Sequence, residues 1–200
     1  MSTLETNLIQ PSTGTALTVG ASGDTITVPS GATFNVAGTL QSGGSAITQG
    51  ITMADTWRIT ANKTGNSDIT ANWERDDTYN PGFIGTGMTE SSGIFSFPST
   101  GIYQIDFWAY LKNPGATSYA GIYLSATTDN SSYNIAAEFV TSISAANYFG
   151  GGYSSYLFDV TNTSNCKVKF TTAGANANTI YIGNTNINYT GAQFKRLGDT

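Results

Sequence analysis

A cluster of acidic side chains stands in the stretch NWERDDTY, which contains Glu74, Asp76 and Asp77. A pair of carboxylates flanking a groove is the usual machinery of glycoside hydrolysis. Carboxylate oxygens are also the ligands that Ca²⁺ prefers, although the spacing here is not that of a known calcium loop. Arg75 stands among them and would neutralise part of their charge. We therefore expect a solvated surface loop, and we keep a catalytic pair and a calcium site as alternatives.

Histidine is absent from the sequence. Its absence removes the commonest general base, the partner of a catalytic serine and the commonest metal ligand. A GxSxG elbow, a Walker loop and a dinucleotide fingerprint are also missing. We predict a protein that is not an enzyme, with no catalytic residue and no cofactor. The single cysteine, Cys166, cannot form an internal disulfide and is expected to be a small buried or half-buried residue on a strand.

The charge balance excludes some classes of partner. The chain has eight Lys and Arg against 13 Asp and Glu, a net charge of −5 at pH 7. A nucleic-acid backbone needs a basic surface, so we expect no nucleic-acid partner. The N-terminus, MSTLETNLIQ, lacks the cationic start and apolar run of a signal peptide, and no stretch is apolar for long enough to cross a membrane. We expect a protein that is made in a cytoplasm and is not inserted into a membrane.

Aromatic, Asn, Ser and Gly residues mix in three stretches: LKNPGATSYAG, ATTDNSSYN and SAANYFGGGYSS. Such surfaces bind partners, sugars included, through rigid aromatic contacts and adaptable hydrogen bonds. Tyr119, Tyr133, Tyr148 and Phe149 are the candidate receptor-binding residues. The alternative is that these stretches are turns whose tyrosines pack on the rim of a sheet.

Period-two alternation predicts an all-β chain. In GIYQIDFWAYL, Phe107 belongs to one face, and Trp108 and Tyr110 belong to the other. Because both faces are substantially apolar, we expect a second sheet to cover the Phe107 face and another subunit to cover the face of Trp108 and Tyr110. Turns are predicted at Asn113-Pro114-Gly115 and Gly150-Gly151-Gly152. Further strands are predicted in TWRIT, GIFSF, GIYLS, NIAAEFV, YSSYLFDV, CKVKF and TIYIG, a number that suits a jelly-roll β-sandwich.

A different pattern precedes QSGGSAITQG (residues 41–50), so we place an N-terminal module at 1–48 and a head domain at 49–200. The module contains three apolar pairs separated by turn residues: Leu17 and Val19, Ile26 and Val28, and Phe34 and Val36. Three such short rungs bury too little to stand alone. We expect either a trimeric β-shaft, in which three parallel chains turn these side chains toward a common axis, or an extended arm. A flexible tail and strand addition to the head remain alternatives.

The run LETNLIQPSTGTALTVGASGDTITVPSGATFNVAGTL resembles the opening module of many structural proteins of marine bacteriophages, which precedes diverse C-terminal domains in them. The resemblance implies a component of the virion whose N-terminal module contacts another virion protein.

The C-terminal part is similar to the jelly-roll heads of the first complement component and of tumour necrosis factor (TNF). The residues that carry the similarity are Gly93–Phe97, Gly101–Phe107 and the late run YTGAQF at 189–194. That family forms compact trimers, which implies a homotrimer here. The sequence ends in KRLGDT, where the family usually stays apolar.

Pattern and resemblance together predict a non-enzymatic tail fibre or spike of a phage virion, trimeric and mediating attachment to a host-surface glycan or protein. A capsid decoration or head fibre protein is one alternative, and a fibre-borne polysaccharide depolymerase is another.

Overall fold

The computed structural model describes residues 13–42, 45–46, 50–79 and 82–200. The chain forms two compact units, residues 1–47 and 48–200. The described residues contain strands and no helix. The strands are β1 (Gln41–Ser42), β2 (Ser45–Ala46), β3 (Ala54–Ile59), β4 (Lys63–Thr64), β5 (Trp73–Arg75), β6 (Phe83–Ile84), β7 (Thr89–Ser91), β8 (Ile94–Ser96), β9 (Gly101–Lys112), β10 (Thr117–Thr127), β11 (Asn134–Ile143), β12 (Phe149–Val160), β13 (Lys167–Gly174), β14 (Ile180–Tyr181) and β15 (Gly191–Gly198).

The first unit has little regular structure. Its strands β1 and β2 pair antiparallel, and residues 13–40 form turns, bends and irregular segments without a strand. Gly20 and Gly31 adopt positive φ within two of the turns that the sequence predicted. The six apolar side chains of the three rungs are all exposed, reaching 67% for Ile26 and 68% for Phe34. Within the described residues of a single chain these rungs have neither a partner strand nor a cover, and the trimeric shaft stays a prediction.

The second unit is a jelly-roll sandwich of two antiparallel sheets. The five-stranded sheet has the order β11-β10-β13-β8-β7. The eight-stranded sheet has the order β4-β14-β9-β15-β3-β5, with β12 also paired to β9 and β6 to β3. The jelly-roll prediction is confirmed, and each of the eight stretches predicted as strands contains one. We call the end of the sandwich at which β9 begins the lower end, and the end at which β9 finishes the upper end.

The core lies between the two sheets and is mainly aromatic. Alternation along β9 buries Tyr103, Ile105, Phe107 and Leu111 completely, so the face assigned to Phe107 is the core face. At the centre of the core, Phe95 makes edge-to-face contacts with three other rings, Trp57, Trp73 and Phe170, at centroid distances of 5.1 to 5.4 Å.

The strand β15 lies inside the eight-stranded sheet, between β9 and β3. It continues through Lys195, Arg196 and Leu197, the polar stretch in which the sequence departs from the complement and TNF pattern. Side-chain contacts explain how the strand accommodates these two charged residues. The Lys195 ammonium lies 3.5 Å from the Asp106 carboxylate, and Arg196 Nε–H donates to the Thr100 carbonyl at 2.9 Å.

The prediction of a turn at Gly150-Gly151-Gly152 is wrong. These glycines are part of β12 and pair with Leu111, Tyr110 and Ala109 of β9. At Gly152 the reason is steric, because a Cβ there would overlap the ring of Phe139 on β11. The glycine provides close approach between two strands rather than a reversal of the chain.

Candidate functional site

The acidic cluster surrounds a buried arginine. Arg58, on β3, has no exposed side-chain surface. Its Nε–H donates to Glu74 Oε2 at 2.9 Å, its Nη1 to Asp76 Oδ1 at 2.7 Å, and its Nη2 to Asp77 Oδ1 at 2.8 Å and Thr78 Oγ1 at 3.1 Å. Burial lowers the pKa of Arg58, but the hydrogen bonds and charges of Glu74, Asp77 and Asp76 outweigh it and raise that pKa. The guanidinium therefore occupies the place that a cation would take among these carboxylates.

The neutralising residue differs from the one that the sequence suggested. Arg75 turns away from this cluster and pairs with buried Asp55, Nε to Oδ1 at 2.9 Å. Its guanidinium also lies over the rings of Trp57 and Phe83, at 4.7 and 4.5 Å from their centroids. Neighbouring residues on a strand point to opposite faces, so Glu74 reaches Arg58 on the outer face while Arg75 does not.

The acidic cluster is connected to Trp108 by hydrogen bonds. The side-chain Nδ2–H of Asn188 donates to Asp76 Oδ2 at 2.7 Å, and the backbone carbonyl of Asn188 accepts from Trp108 Nε1–H at 2.9 Å. The Trp108 ring also packs over Gly191 of β15, where a Cβ would lie 2.9 Å from the indole. The cluster thus fixes part of the outer face of the eight-stranded sheet.

A second carboxylate organises the same outer face farther down β9. Asp106 is buried and accepts from Tyr153 Oη at 2.6 Å, from Ser155 Oγ at 2.7 Å and from Gln104 Nε2 at 3.1 Å. Burial alone would raise the pKa of Asp106. These hydrogen bonds and the charge of Lys195 together outweigh burial, so the net shift of the pKa is downward. The carboxylate is therefore ionised and held, with its neighbours, in a structural network.

Aromatic rings are exposed on this face at the upper end. Tyr110 stacks on Phe149 at a centroid distance of 5.1 Å and an interplanar angle of 7°, and on its other side it meets Tyr189 at 5.5 Å. Farther down the same face, Tyr153 and Leu157 of β12 are also exposed. The outer face of β9 and β12 is therefore both aromatic and accessible in the single chain.

The four candidate receptor-binding residues do not form one group. Tyr148 and Phe149 are exposed at the upper end, beside the end of β9, and exposed Tyr119 lies near the upper end of β10. Tyr133 lies at the lower end, next to the start of β11, where its ring is 4.8 Å from Lys169 Nζ and its hydroxyl is buried. Tyr119 and Phe149 are in strands rather than loops.

Two residues of this site, buried Arg58 and half-buried Tyr189, are not singled out by the sequence. Arg58 was read only as part of the strand TWRIT, although a lone charge amid alternating apolar residues signals a buried ion pair. Tyr189 was read only as part of the closing strand, and its stacking on Tyr110 depends on the loop before β15, which local pattern does not specify.

Comparison with solved structures gives the class of fold. The crystal structure of murine APRIL at pH 5.0 matches with a TM-score of 0.55 at 15% identity, over 72% of this chain and 98% of that one. The structure of Eiger TNF from S. frugiperda matches with a TM-score of 0.56 at 12% identity, over 74% of this chain and 93% of that one. The head is therefore a TNF-like jelly roll, and at these identities the likeness is one of fold. No protein-family model and no curated protein matches the sequence.

The described residues contain no group of three or more His, Cys, Asp or Glu side chains arranged to hold a metal ion. Nor does the described part of the chain include a helix long and apolar enough to cross a membrane.

Proposed function

We propose that this protein is a non-enzymatic structural component of a bacteriophage virion, a trimeric fibre or spike. Its N-terminal module attaches to another protein of the particle, and its TNF-like head contacts the host surface. The phage origin is supported by the wording of the N-terminal run, and the shape of the head by the jelly-roll fold.

The observation that carries the proposal is the exposure of all six apolar side chains of the N-terminal rungs. Ile26 and Phe34 are more than 60% exposed on a segment without a strand. Association with other chains would remove their apolar surface from water. Three parallel copies pair the extended backbones and turn the apolar pairs inward, which removes both exposed edges and exposed apolar surface.

The head supplies a second surface for the same trimer. Trp108 and Tyr110 on β9 and Tyr153 and Leu157 on β12 lie on the outer face of the eight-stranded sheet. Aromatic residues are enriched at the buried centres of protein interfaces. We assign this face to contacts between subunits, with Leu157, 61% exposed, as a residue whose burial needs a neighbouring chain.

The upper end of the head is the part assigned to host contact. Residues 50–53, with which the described part of the head begins, lie at the lower end, where the Met53 carbonyl accepts from Arg196 N–H. Exposed Tyr148, the loop residues around Asn147 and the end of β10 at Tyr119 lie at the opposite end. We assign the host contact to these exposed residues at the upper end of the head.

The acidic cluster argues against a depolymerase. In the described structure Glu74, Asp76 and Asp77 each bond to the Arg58 guanidinium, so they neutralise a buried charge. A general acid and a nucleophile would instead need to face a groove.

Sedimentation of the purified chain tests the proposal. We expect a trimer at micromolar concentration, and a chain that starts at residue 50 should keep a folded head while losing incorporation into virions. A well-folded monomer, or normal incorporation of the shortened chain, would contradict it. Labelling of the N-terminal module in cryo-microscopy of virions separates a tail position from a capsid decoration.

A further inference from the structure

A cavity of about 280 Å³ opens at the lower end of the head, between the β10–β11 turn and the core side of β12. Its floor is apolar, with Ala126 and Phe158 buried and Tyr156 half-buried. This volume lies just below the range of roughly 300 to 1,000 Å³ for pockets that bind drug-sized ligands, so the cavity has room for one small molecule and not for a peptide.

The polar wall of the cavity is a preformed turn. Asp129 Oδ1 accepts from Thr127 Oγ1 at 2.7 Å, from Ser131 N–H at 2.9 Å and from Ser132 N–H at 2.8 Å. Asn130 adopts a positive φ of 57° and donates its N–H to the Asn165 carbonyl at 2.9 Å, which ties this turn to the next one. A ligand that binds here has little loop ordering to overcome.

Several polar groups on the rim remain available to a ligand. Within the described residues, the side chains of Thr128, Ser132 and Asn134 make no hydrogen bond to the protein. The three short hydrogen bonds to Asp129 all converge on Oδ1, so Oδ2 keeps acceptor capacity. Hydrogen bonds from Ser132 N–H, the Thr127 hydroxyl and Ser131 hold the pKa of Asp129 well below its usual range, so the carboxylate is ionised.

We propose that this cavity binds a neutral pyranose, one sugar unit of a glycan. An apolar floor that includes Tyr156 suits the apolar face of a sugar ring. The sugar hydroxyls can donate to the Asp129 carboxylate, and they can both donate to and accept from the neutral rim groups. The ionised Asp129 disfavours an anionic sugar, as does the net charge of −5. The site goes beyond the host contact proposed above, which is at the other end of the head.

The test is titration of the full-length protein, followed by heteronuclear NMR, with D-glucose, D-galactose and N-acetyl-D-glucosamine as probes. N-acetylneuraminic acid and glycerol serve as the anionic and the non-ring comparison. We expect saturable binding of at least one neutral sugar, with a Kd on the order of 1 mM, and shift changes concentrated at residues 126–136 and 156–158. Glycerol and N-acetylneuraminic acid should bind at least about tenfold more weakly.

Two variants and a control locate the site. Ala136→Leu fills the cavity and should abolish binding. Asp129→Asn keeps an acceptor at Oδ1 and should weaken binding about tenfold, the loss of one charge-assisted bond. Asp159→Asn changes an exposed carboxylate on the outer face of β12 and should leave binding unchanged.

The proposal is overturned if no neutral sugar saturates, if glycerol binds equally well, or if the shift changes lie elsewhere. It is also overturned if a folded Ala136→Leu variant, with wild-type melting, binds as the wild type does. These outcomes leave the sedimentation and incorporation tests of the fibre untouched.

Discussion

The ring of Phe139 on β11 lies directly against the backbone of Gly152 on β12, so that a Cβ at Gly152 would overlap it. These two strands belong to different sheets and do not pair with each other. The contact joins the edges of the sandwich at the point where the sequence had suggested a turn.

Gly152→Ala should therefore destabilise the head. Overpacking of this kind costs typically about 1 to 3 kcal/mol, because ring and backbone must both shift. Gly115→Ala, at a turn position where a Cβ meets nothing within 4 Å, is the matched control and should be close to neutral. Urea unfolding measures both. In a Phe139→Ala background the cost of Gly152→Ala should largely vanish, and a full cost there would refute the steric explanation.

Arg58→Met should cost about 3 to 5 kcal/mol of folding free energy, because it leaves Glu74 and Asp76 facing each other without their buried cation. Lys169→Met, which breaks the part-exposed pair with Asp68, should cost no more than about 1 kcal/mol. Chemical denaturation of the two variants gives the comparison. Equal losses would show that the acidic cluster contributes no more than a surface ion pair.

Asp106 should give the stability a specific dependence on pH. Because its pKa is lowered in the folded head, its contribution is present above the unfolded value of about 3.9 and is lost as the pH falls through the folded value. The stability gap between wild type and Asp106→Asn should be constant from about pH 7 to about pH 5 and should shrink below about pH 4. Tyr153→Phe, which removes the donor at 2.6 Å, should weaken this dependence. A gap that widens on acidification would contradict the assignment.

Two substitutions on opposite faces of neighbouring strands separate folding from association. Leu157→Asp places a charge on an exposed outer-face position of β12 and should dissociate the proposed trimer while the far-UV signal of the strands remains. Phe107→Ala removes a fully buried ring and should cost about 3 to 5 kcal/mol of folding free energy. Sedimentation and thermal melting at two protein concentrations distinguish them. A Leu157→Asp variant that stays trimeric would place the interface elsewhere.

Trp108→Ala should affect both properties. Its Nε1–H bonds to the Asn188 carbonyl within the same chain, and its ring packs over Gly191. We expect dissociation together with a lower melting temperature, from about 3 kcal/mol per site if the ring is buried in the trimer. Unchanged melting and an intact trimer would show that the Trp108 face is not the subunit interface.

Local alternation predicted the long strands of the head, such as β9, which buries Phe107 and leaves Tyr110 partly exposed on the opposite face, but it did not predict the short strands β4 to β7. It was insufficient where a residue's role depends on a distant part of the chain. The local sequence predicts a turn at Gly152, whereas the structure has the ring of Phe139 against its backbone. The local sequence likewise predicts a solvated loop at Glu74, whereas the structure pairs Glu74 with Arg58 on the neighbouring strand. Neither contact can be predicted from the spacing of residues along the chain, because in each pair the two residues lie on different strands.

The position of β15 inside the eight-stranded sheet has a consequence for synthesis of the protein. Its neighbours β3 and β9 are made well before it, yet they cannot pair with each other across the space that it fills. Until residue 198 has left the ribosome, both strands keep an unpaired edge and the core under Phe194 stays open to water. We therefore expect the nascent head to be protease-sensitive and dependent on holding chaperones until β15 has emerged, and to close cooperatively only then.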